Sequence, residues 1–187
     1  MEEKFTLLRE WMLKNGYFAL LIPRTDEFQN EYIAPASERL KWLTGFSGSA
    51  GEALILIDRA FLFVDGRYTL QAEKETNSKL ITVISSSSAQ VADYFYSALP
   101  NEAVVGYNPW LYTQSHIEHI SKLAKKNNVI FKPTPYDPID YFWKNKPKNE
   151  TSWAVFLPEK YTGLNSTTKI IARSGSAPSA SWLSTCS

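Results

Sequence analysis

Cysteine is almost absent from this 187-residue chain: the single thiol, Cys186, excludes an internal disulfide and fits a reducing compartment. Net charge is nearly absent too, at +1, so there is no electrostatic case for nucleic acid or an anionic membrane as partner. No apolar run approaches the length that spans a bilayer. The start, Met1-Glu2-Glu3-Lys4, lacks the basic and apolar regions of a signal peptide. These absences together predict a cytoplasmic protein. Two triplets that fit a glycosylation pattern, Asn149-Glu150-Thr151 and Asn165-Ser166-Thr167, are accordingly read as chance matches.

What is present is a core. Hydrophobic residues make up 44% of the chain, which excludes wholesale disorder and suits one ordinary domain with room for the start of a second. Apolar positions Phe5, Leu8, Trp11 and Met12 recur at helical spacing, and Gly16 is placed to end that helix in a left-handed turn. Tyr17–Ile22 reads as a buried strand closed by Pro23. Further on, strands are predicted at Leu80–Ile84, Ala103–Tyr107 and Val129–Lys132. Helices are predicted at Ala89–Leu99, with Val91, Tyr94, Phe95 and Ala98 on one face, and at Thr113–Asn127. The alternation of strands and helices predicts an α/β domain.

The densest information lies between Glu31 and Gln71. Ser37 is placed to cap a short segment running to Leu43. Gly45, Gly48 and Gly51 follow, then two apolar runs, Ala53–Ile57 and Ala60–Val64, that read as a hairpin and make the sheet mixed. The second run stops at Asp65-Gly66-Arg67-Tyr68. Gly66 offers a positive φ for a sharp turn, Asp65 a cap for a helix beginning near Tyr68. Arg67 is left as a fork of donors at the carboxyl end of a strand, the edge where α/β sheets hold ligands. The plain alternative is that Asp-Gly is a common turn pair and Arg67 only pairs with a local carboxylate.

Other candidates have plainer explanations. The three glycines fit neither a dinucleotide nor a P-loop spacing and read as packing or turn glycines. His116 and His119, three apart on a helix, share a face as metal ligands would. They do not form H-E-x-x-H and have no evident third ligand, so they read as the partly exposed face of a core helix. Lys144, Lys146 and Lys148 read as solvated linker charge.

The ordered pieces Glu31–Ala34, Thr44–Gly51, Asp65–Tyr68 with Gln71-Ala72, Val105–Trp110, Asp140–Trp143 and Glu159–Gly163 resemble the N-terminal domain of the Xaa-Pro aminopeptidases (aminopeptidase P), which are creatinase/prolidase-type metallopeptidases. The resemblance runs over roughly residues 5 to 170. It implies a mixed sheet flanked by helices around a ribonuclease-H-like core. It further implies that the arginine of D-G-R-Y, here Arg67, reaches towards peptide substrate held by a separate catalytic domain. The family's chemistry uses two divalent metals, usually manganese, and nothing after Tyr161 supplies their ligand set.

The expected organisation is therefore an N-terminal domain over 1–135, a Pro/Lys-rich connector over 136–165, and over 166–187 the irregular, truncated start of a second domain. The expected function is that of a non-catalytic N-terminal region, inactive alone and without its own cofactor, that shapes substrate access and subunit contacts, a homodimer among them. Peptide would be met only together with a catalytic domain. The alternatives are a free-standing binding or dimerisation module without peptidase activity and, more distantly, a small-ligand α/β domain sharing only the fold.

Overall fold

The computed structural model describes residues 1–86, 98–149, 153, 155 and 157–174. The chain divides into two compact units, Met1–Asn149 and Glu150–Ser187.

The first unit is built on a six-stranded mixed sheet in the order β4-β3-β2-β1-β5-β6. The strands are β1 (Ala19–Pro23), β2 (Gly51–Leu56), β3 (Ala60–Val64), β4 (Thr82–Ser85), β5 (Val104–Tyr107) and β6 (Ile130–Pro133). β2 pairs antiparallel with both β1 and β3, while β3–β4, β1–β5 and β5–β6 are parallel. Five strands therefore run one way and β2 alone runs back. The carboxyl ends of those five, at Pro23, Val64, Ser85, Tyr107 and Pro133, share one edge of the sheet.

The helices are α1 (Glu2–Asn15), α2 (Arg39–Thr44), α3 (Thr69–Glu75), α4 (Gln114–Leu123) and α5 (Pro138–Phe142). Each central strand is buried on both faces, and its side chains alternate between two cores. Leu20, Ile22, Ala53, Ile55, Leu62 and Val64 pack with Phe5, Leu8, Met12, Leu40, Phe46 and Ile139. Leu21, Leu54, Leu56, Phe61 and Phe63 pack on the other face with Val105, Ile120 and Ala124. The stripe expected for α1 is the buried one, and Gly16 ends that helix at φ 73 with its amide donating to the Leu13 carbonyl.

Several local expectations are corrected. Ser37 does not cap a helix: it ends a 3₁₀ turn over Pro35–Ser37, is itself buried, and α2 starts after Glu38 with no side-chain cap. Gly66 is not in the left-handed region; it opens a 3₁₀ turn, Gly66–Tyr68, that leads into α3. The positive φ belongs instead to Gly45, at 84°, where the chain leaves α2. The compact unit also runs past residue 135, because Ile139 on α5 is buried in the core and Asp140 is tied to Arg39 on α2. Lys146 is no solvated linker charge: its Nζ lies 2.7 Å from Asp140 Oδ1. Of the expected helix Ala89–Leu99, only Ala98 and Leu99 are among the described residues, and both are buried.

In the second unit, α6 (Glu159–Thr162) ends at Gly163 with φ 74. Helix α7 (Ser166–Ser174) occupies the start of the segment expected to be irregular. Asn165 accounts for it: its Oδ1 accepts from the Thr168 amide at 2.8 Å and from the Thr168 hydroxyl at 2.9 Å, a side-chain cap. The tail beyond Ser174, including Cys186, lies outside the described residues.

Candidate functional site

The shared carboxyl edge of the parallel strands gathers the polar side chains that the cores exclude, and Arg67 stands on it. β3 ends at Val64, and Asp65 caps the following 3₁₀ turn by accepting from the Arg67 amide at 3.0 Å. The same oxygen, Asp65 Oδ1, accepts from Arg67 Nε at 2.9 Å. One carboxylate atom thus fixes both the backbone and the root of the guanidinium. The Arg67 guanidinium carbon lies 5.7 Å from the Tyr68 ring centroid, and the Tyr68 hydroxyl sits 2.6 Å from Ser49 Oγ. The Arg67 side chain is still 76% exposed, so its terminal Nη pair faces solvent. Such an end-on fork suits a carbonyl or carboxylate acceptor. The hydrogen bond to Asp65 raises the Arg67 pKa, and in return Arg67 holds the Asp65 carboxyl below the usual carboxylate range.

The glycine loop beside it is a packing device. A Cβ on Gly48 would stand 2.2 Å from Cζ of the buried Phe46 ring, and one on Gly45 2.8 Å from the Glu75 carbonyl oxygen. Glu75 on α3 closes the loop by accepting from the Ser47 amide and hydroxyl, each at 2.7 Å.

A second polar group lies one strand over. Glu52 Oε1 on β2 accepts from the hydroxyl of the partly buried Tyr112 at 2.6 Å and lies 3.6 Å from His116 Nε2 on α4. Burial, the nearby Glu52 charge and this hydrogen bond push the Tyr112 pKa well up. The His116 pKa is raised by its pairing with the Glu52 carboxylate, against partial burial. His116 and His119 do share a face and, with Glu52 and Asp65, line a cleft of about 350 Å³. No group of three or more His, Cys, Asp or Glu side chains among the described residues is arranged to hold a metal ion. The side chains of this edge are hydrogen-bonding groups.

A pH effect follows from the raised His116 pKa. Protonated His116 stabilises the fold, fully at pH values below the ordinary histidine value of about 6.5, and this is lost as pH rises through the folded value. In urea unfolding at several pH values, the advantage of the wild-type chain over His116→Gln should shrink from pH 5.5 to pH 8.5. His116 is nearly half exposed, so the advantage is small; one that is constant or grows with pH would contradict the pairing with Glu52.

The local-carboxylate pairing that the sequence offered for Arg67 is present, with Asp65 as the partner. The pairing of Glu52 with Tyr112 was not legible, since the two are 60 residues apart and no spacing links them.

Residues 5–137 match the Creatinase/Prolidase N-terminal domain family. Aminopeptidase P2 of Arabidopsis thaliana is 31% identical over 178 residues, covering 92% of this chain and 25% of that protein. The chain thus spans about a quarter of the length of the curated relatives it matches. The crystal structure of X-prolyl aminopeptidase from Caenorhabditis elegans, described as a cytosolic enzyme with a di-nuclear active site, superposes with a TM-score of 0.81 at 27% identity. That match covers 91% of this chain and 30% of the nematode chain. The N-terminal domain of the peptidase PepQ from Mycobacterium tuberculosis shares the fold, with a TM-score of 0.57 at 20% identity over 74% of this chain and 97% of that one.

Proposed function

The chain belongs to the creatinase/prolidase N-terminal domain family, and from that premise we propose that it serves as the non-catalytic N-terminal region of an Xaa-Pro aminopeptidase. In this reading it acts in the cytoplasm, as the nematode enzyme is described to do, and shapes access of peptide to a catalytic domain. The parent reaction is metal-dependent release of the residue preceding proline. The observation that carries the proposal is Arg67, exposed at the ligand-bearing edge, anchored at Nε by Asp65 and presenting its Nη pair outward. A guanidinium held in this way binds a peptide carbonyl or carboxylate without first losing side-chain freedom.

A chimera tests the proposal: residues 1–149 replace the matching domain of Arabidopsis aminopeptidase P2, and release of the N-terminal residue from Xaa-Pro peptides is measured. The chimera should turn over. Arg67→Ala within it should lower kcat/KM by about ten- to a hundredfold, the loss of a hydrogen bond to a charged group worth roughly 1.5–3 kcal/mol. In the isolated chain the same change should move stability by no more than about 0.5 kcal/mol, as for an ordinary surface position. Full activity of the Arg67→Ala chimera would remove the arginine from the substrate path. The isolated chain should release nothing from these peptides with or without manganese, and turnover that survives purification from contaminants would overturn the non-catalytic assignment.

A second reading, a binding or dimerisation module, is favoured by Phe28, Tyr32 and Trp110, which are 81%, 86% and 75% exposed on the loops that follow β1 and β5. Sedimentation equilibrium separates the two: a dimer lost on Trp110→Ala or Phe28→Ala supports the module.

A further inference from the structure

Asp65 and Arg67 leave two kinds of hydrogen-bonding group open side by side. Asp65 Oδ1 takes both bonds from Arg67, one from the amide at 3.0 Å and one from Nε at 2.9 Å. Oδ2 is left open on a side chain that is 43% exposed. A guanidinium carries five N–H donors in one plane and no acceptor. Here Nε–H is taken, and the Tyr68 ring, 5.7 Å from the guanidinium carbon, is held by its hydroxyl 2.6 Å from Ser49 Oγ. What the turn Gly66–Tyr68 presents outward is therefore the Nη donors of Arg67 and the Oδ2 acceptor of Asp65. A residue of an extended peptide turns its own C=O and N–H to the same side, which is the complementary pair. Asp65 also lines the cleft of about 350 Å³, so a chain bound to the pair has space to run on beside it.

Charge points the same way. The titratable groups that act on Arg67 are Asp65 and Tyr68, and a phenol is uncharged at neutral pH. The Asp65 carboxylate cancels the one positive charge of the guanidinium, so the pair offers directed hydrogen bonds without a net charge. A terminal carboxylate placed on the Nη edge would bring a second negative charge towards Asp65 and a second acceptor towards Oδ2. An internal peptide group brings neither. A neighbouring like charge of this kind is a common means of rejecting one of two similar ligands.

We infer that Asp65 is a specificity-determining residue: with Arg67 it forms an uncharged donor–acceptor pair that takes an internal peptide group of the substrate, C=O on the Nη edge and N–H on Oδ2, and disfavours a C-terminal carboxylate. The inference rests on the proposed role of Arg67 in the substrate path. The substrates it selects are peptides whose chain continues past the residue held by Arg67, with free and amidated ends treated alike. Asp65→Asn isolates the charge. Asparagine caps a turn as well as aspartate does and has nearly the same shape, but it leaves Arg67 with its full positive charge. The variant should therefore accept the terminal carboxylate that the wild type disfavours.

The test gives the chimera carrying residues 1–149 a series of Xaa-Pro tri- to hexapeptides, each as the free acid and as the C-terminal amide, and compares kcat/KM. Arg67→Ala should lower kcat/KM for acid and amide alike. Asp65→Asn should raise the acid-to-amide ratio by about threefold or more at the peptide length whose end reaches Arg67, the size of a charge effect at an exposed site. The rise should shrink when Asp65→Asn is made in the Arg67→Ala background, because the arginine is what holds the carboxylate. Asp58→Asn is the control. Asp58 pairs with Arg59 at the opposite edge of the sheet, Oδ2 lying 2.9 Å from Nη2, and its loss should leave the ratio unchanged. Damage to the fold lowers acid and amide together, so the ratio reads specificity even where a variant is less stable. An unchanged ratio at every length, with Arg67→Ala still impaired, would overturn the role of Asp65 and leave the proposed function standing. An Arg67→Ala chimera that is unimpaired towards both forms would overturn the two together.

Discussion

Arg39→Ala should destabilise the first unit by about 3–5 kcal/mol, the range for removing one partner from a buried ion pair. The Arg39 side chain is 4% exposed and sits among three carboxylates. Its Nε and Nη2 donate to the two oxygens of Asp140, each at 2.9 Å; Nη2 also donates to Glu27 at 3.0 Å, and Asp137 Oδ2 is 3.5 Å from Nε. Alanine would leave those carboxylates facing one another, with Asp137 nearly as buried as the arginine. The cluster also fastens α5 to α2, so the loss spreads to the packing of Ile139. Burial alone would raise the Asp140 carboxyl, but the hydrogen bonds from Arg39 and Lys146 outweigh it and hold it below the usual range. Asp140→Asn should cost less than Arg39→Ala, because Arg39 keeps Asp137 and Glu27. Urea midpoints of both variants and of Arg39→Met/Asp140→Met measure this, and the double variant should recover part of the loss, as paired apolar replacements do. An Arg39→Ala loss under about 1 kcal/mol would show that water already shares the cluster.

Gly48→Val should be the most damaging glycine substitution. The first added atom would lie 2.2 Å from Phe46 Cζ, 2.7 Å from Phe46 Cε2 and 3.0 Å from Tyr68 Cδ1. The Phe46 ring is fully buried and edge-on to Tyr68, with centroids 6.0 Å apart, so it has no room to yield. Overpacking of this kind costs about 1–3 kcal/mol and here falls at or above the top of that range, because valine adds two further methyls. Gly66→Ala is the control. Its φ is not positive, and an added Cβ would meet only Ser85 Oγ at 3.7 Å, an ordinary contact, so the change should stay within about 0.5 kcal/mol. Thermal unfolding of the two variants decides; equal losses would mean that Phe46 moves aside.

The comparison of glycines shows where sequence alone stops. Gly66 sits in the most recognisable motif and invited a backbone explanation, yet its conformation is open to other residues. Gly48 looks like a member of a spaced triplet, and its necessity lies in an aromatic ring two residues back that only the fold brings over it. Strand and helix positions were legible because burial on both sheet faces writes itself as apolar runs such as Ala19–Pro23 and Ala60–Val64. The cap at Ser37 was misplaced because a 3₁₀ turn intervenes and the side chain is used up by burial. The extension of the compact unit to Asn149 was hidden because its cause is a long-range pair, Arg39 with Asp140, 101 residues apart. At the candidate site, the pairing of Arg67 with a neighbouring carboxylate was legible through local chemistry, whereas Glu52, Tyr112 and His116 meet only after β2 and α4 are assembled.

The lone reversed strand has a consequence for the order of assembly on the ribosome. β1 to β4 lie side by side in chain order once β2 has folded back, so the N-terminal part of the chain can form a four-stranded sheet from near neighbours. β1 then waits, for Ala19 finds its parallel partner only at Val105. Until that segment emerges, the strand Ala-Leu-Leu-Ile-Pro is an unpaired, wholly apolar edge, the kind of edge that joins to other chains. Nascent chains halted before β5 should therefore need chaperone cover, because β5 is the strand that covers this edge.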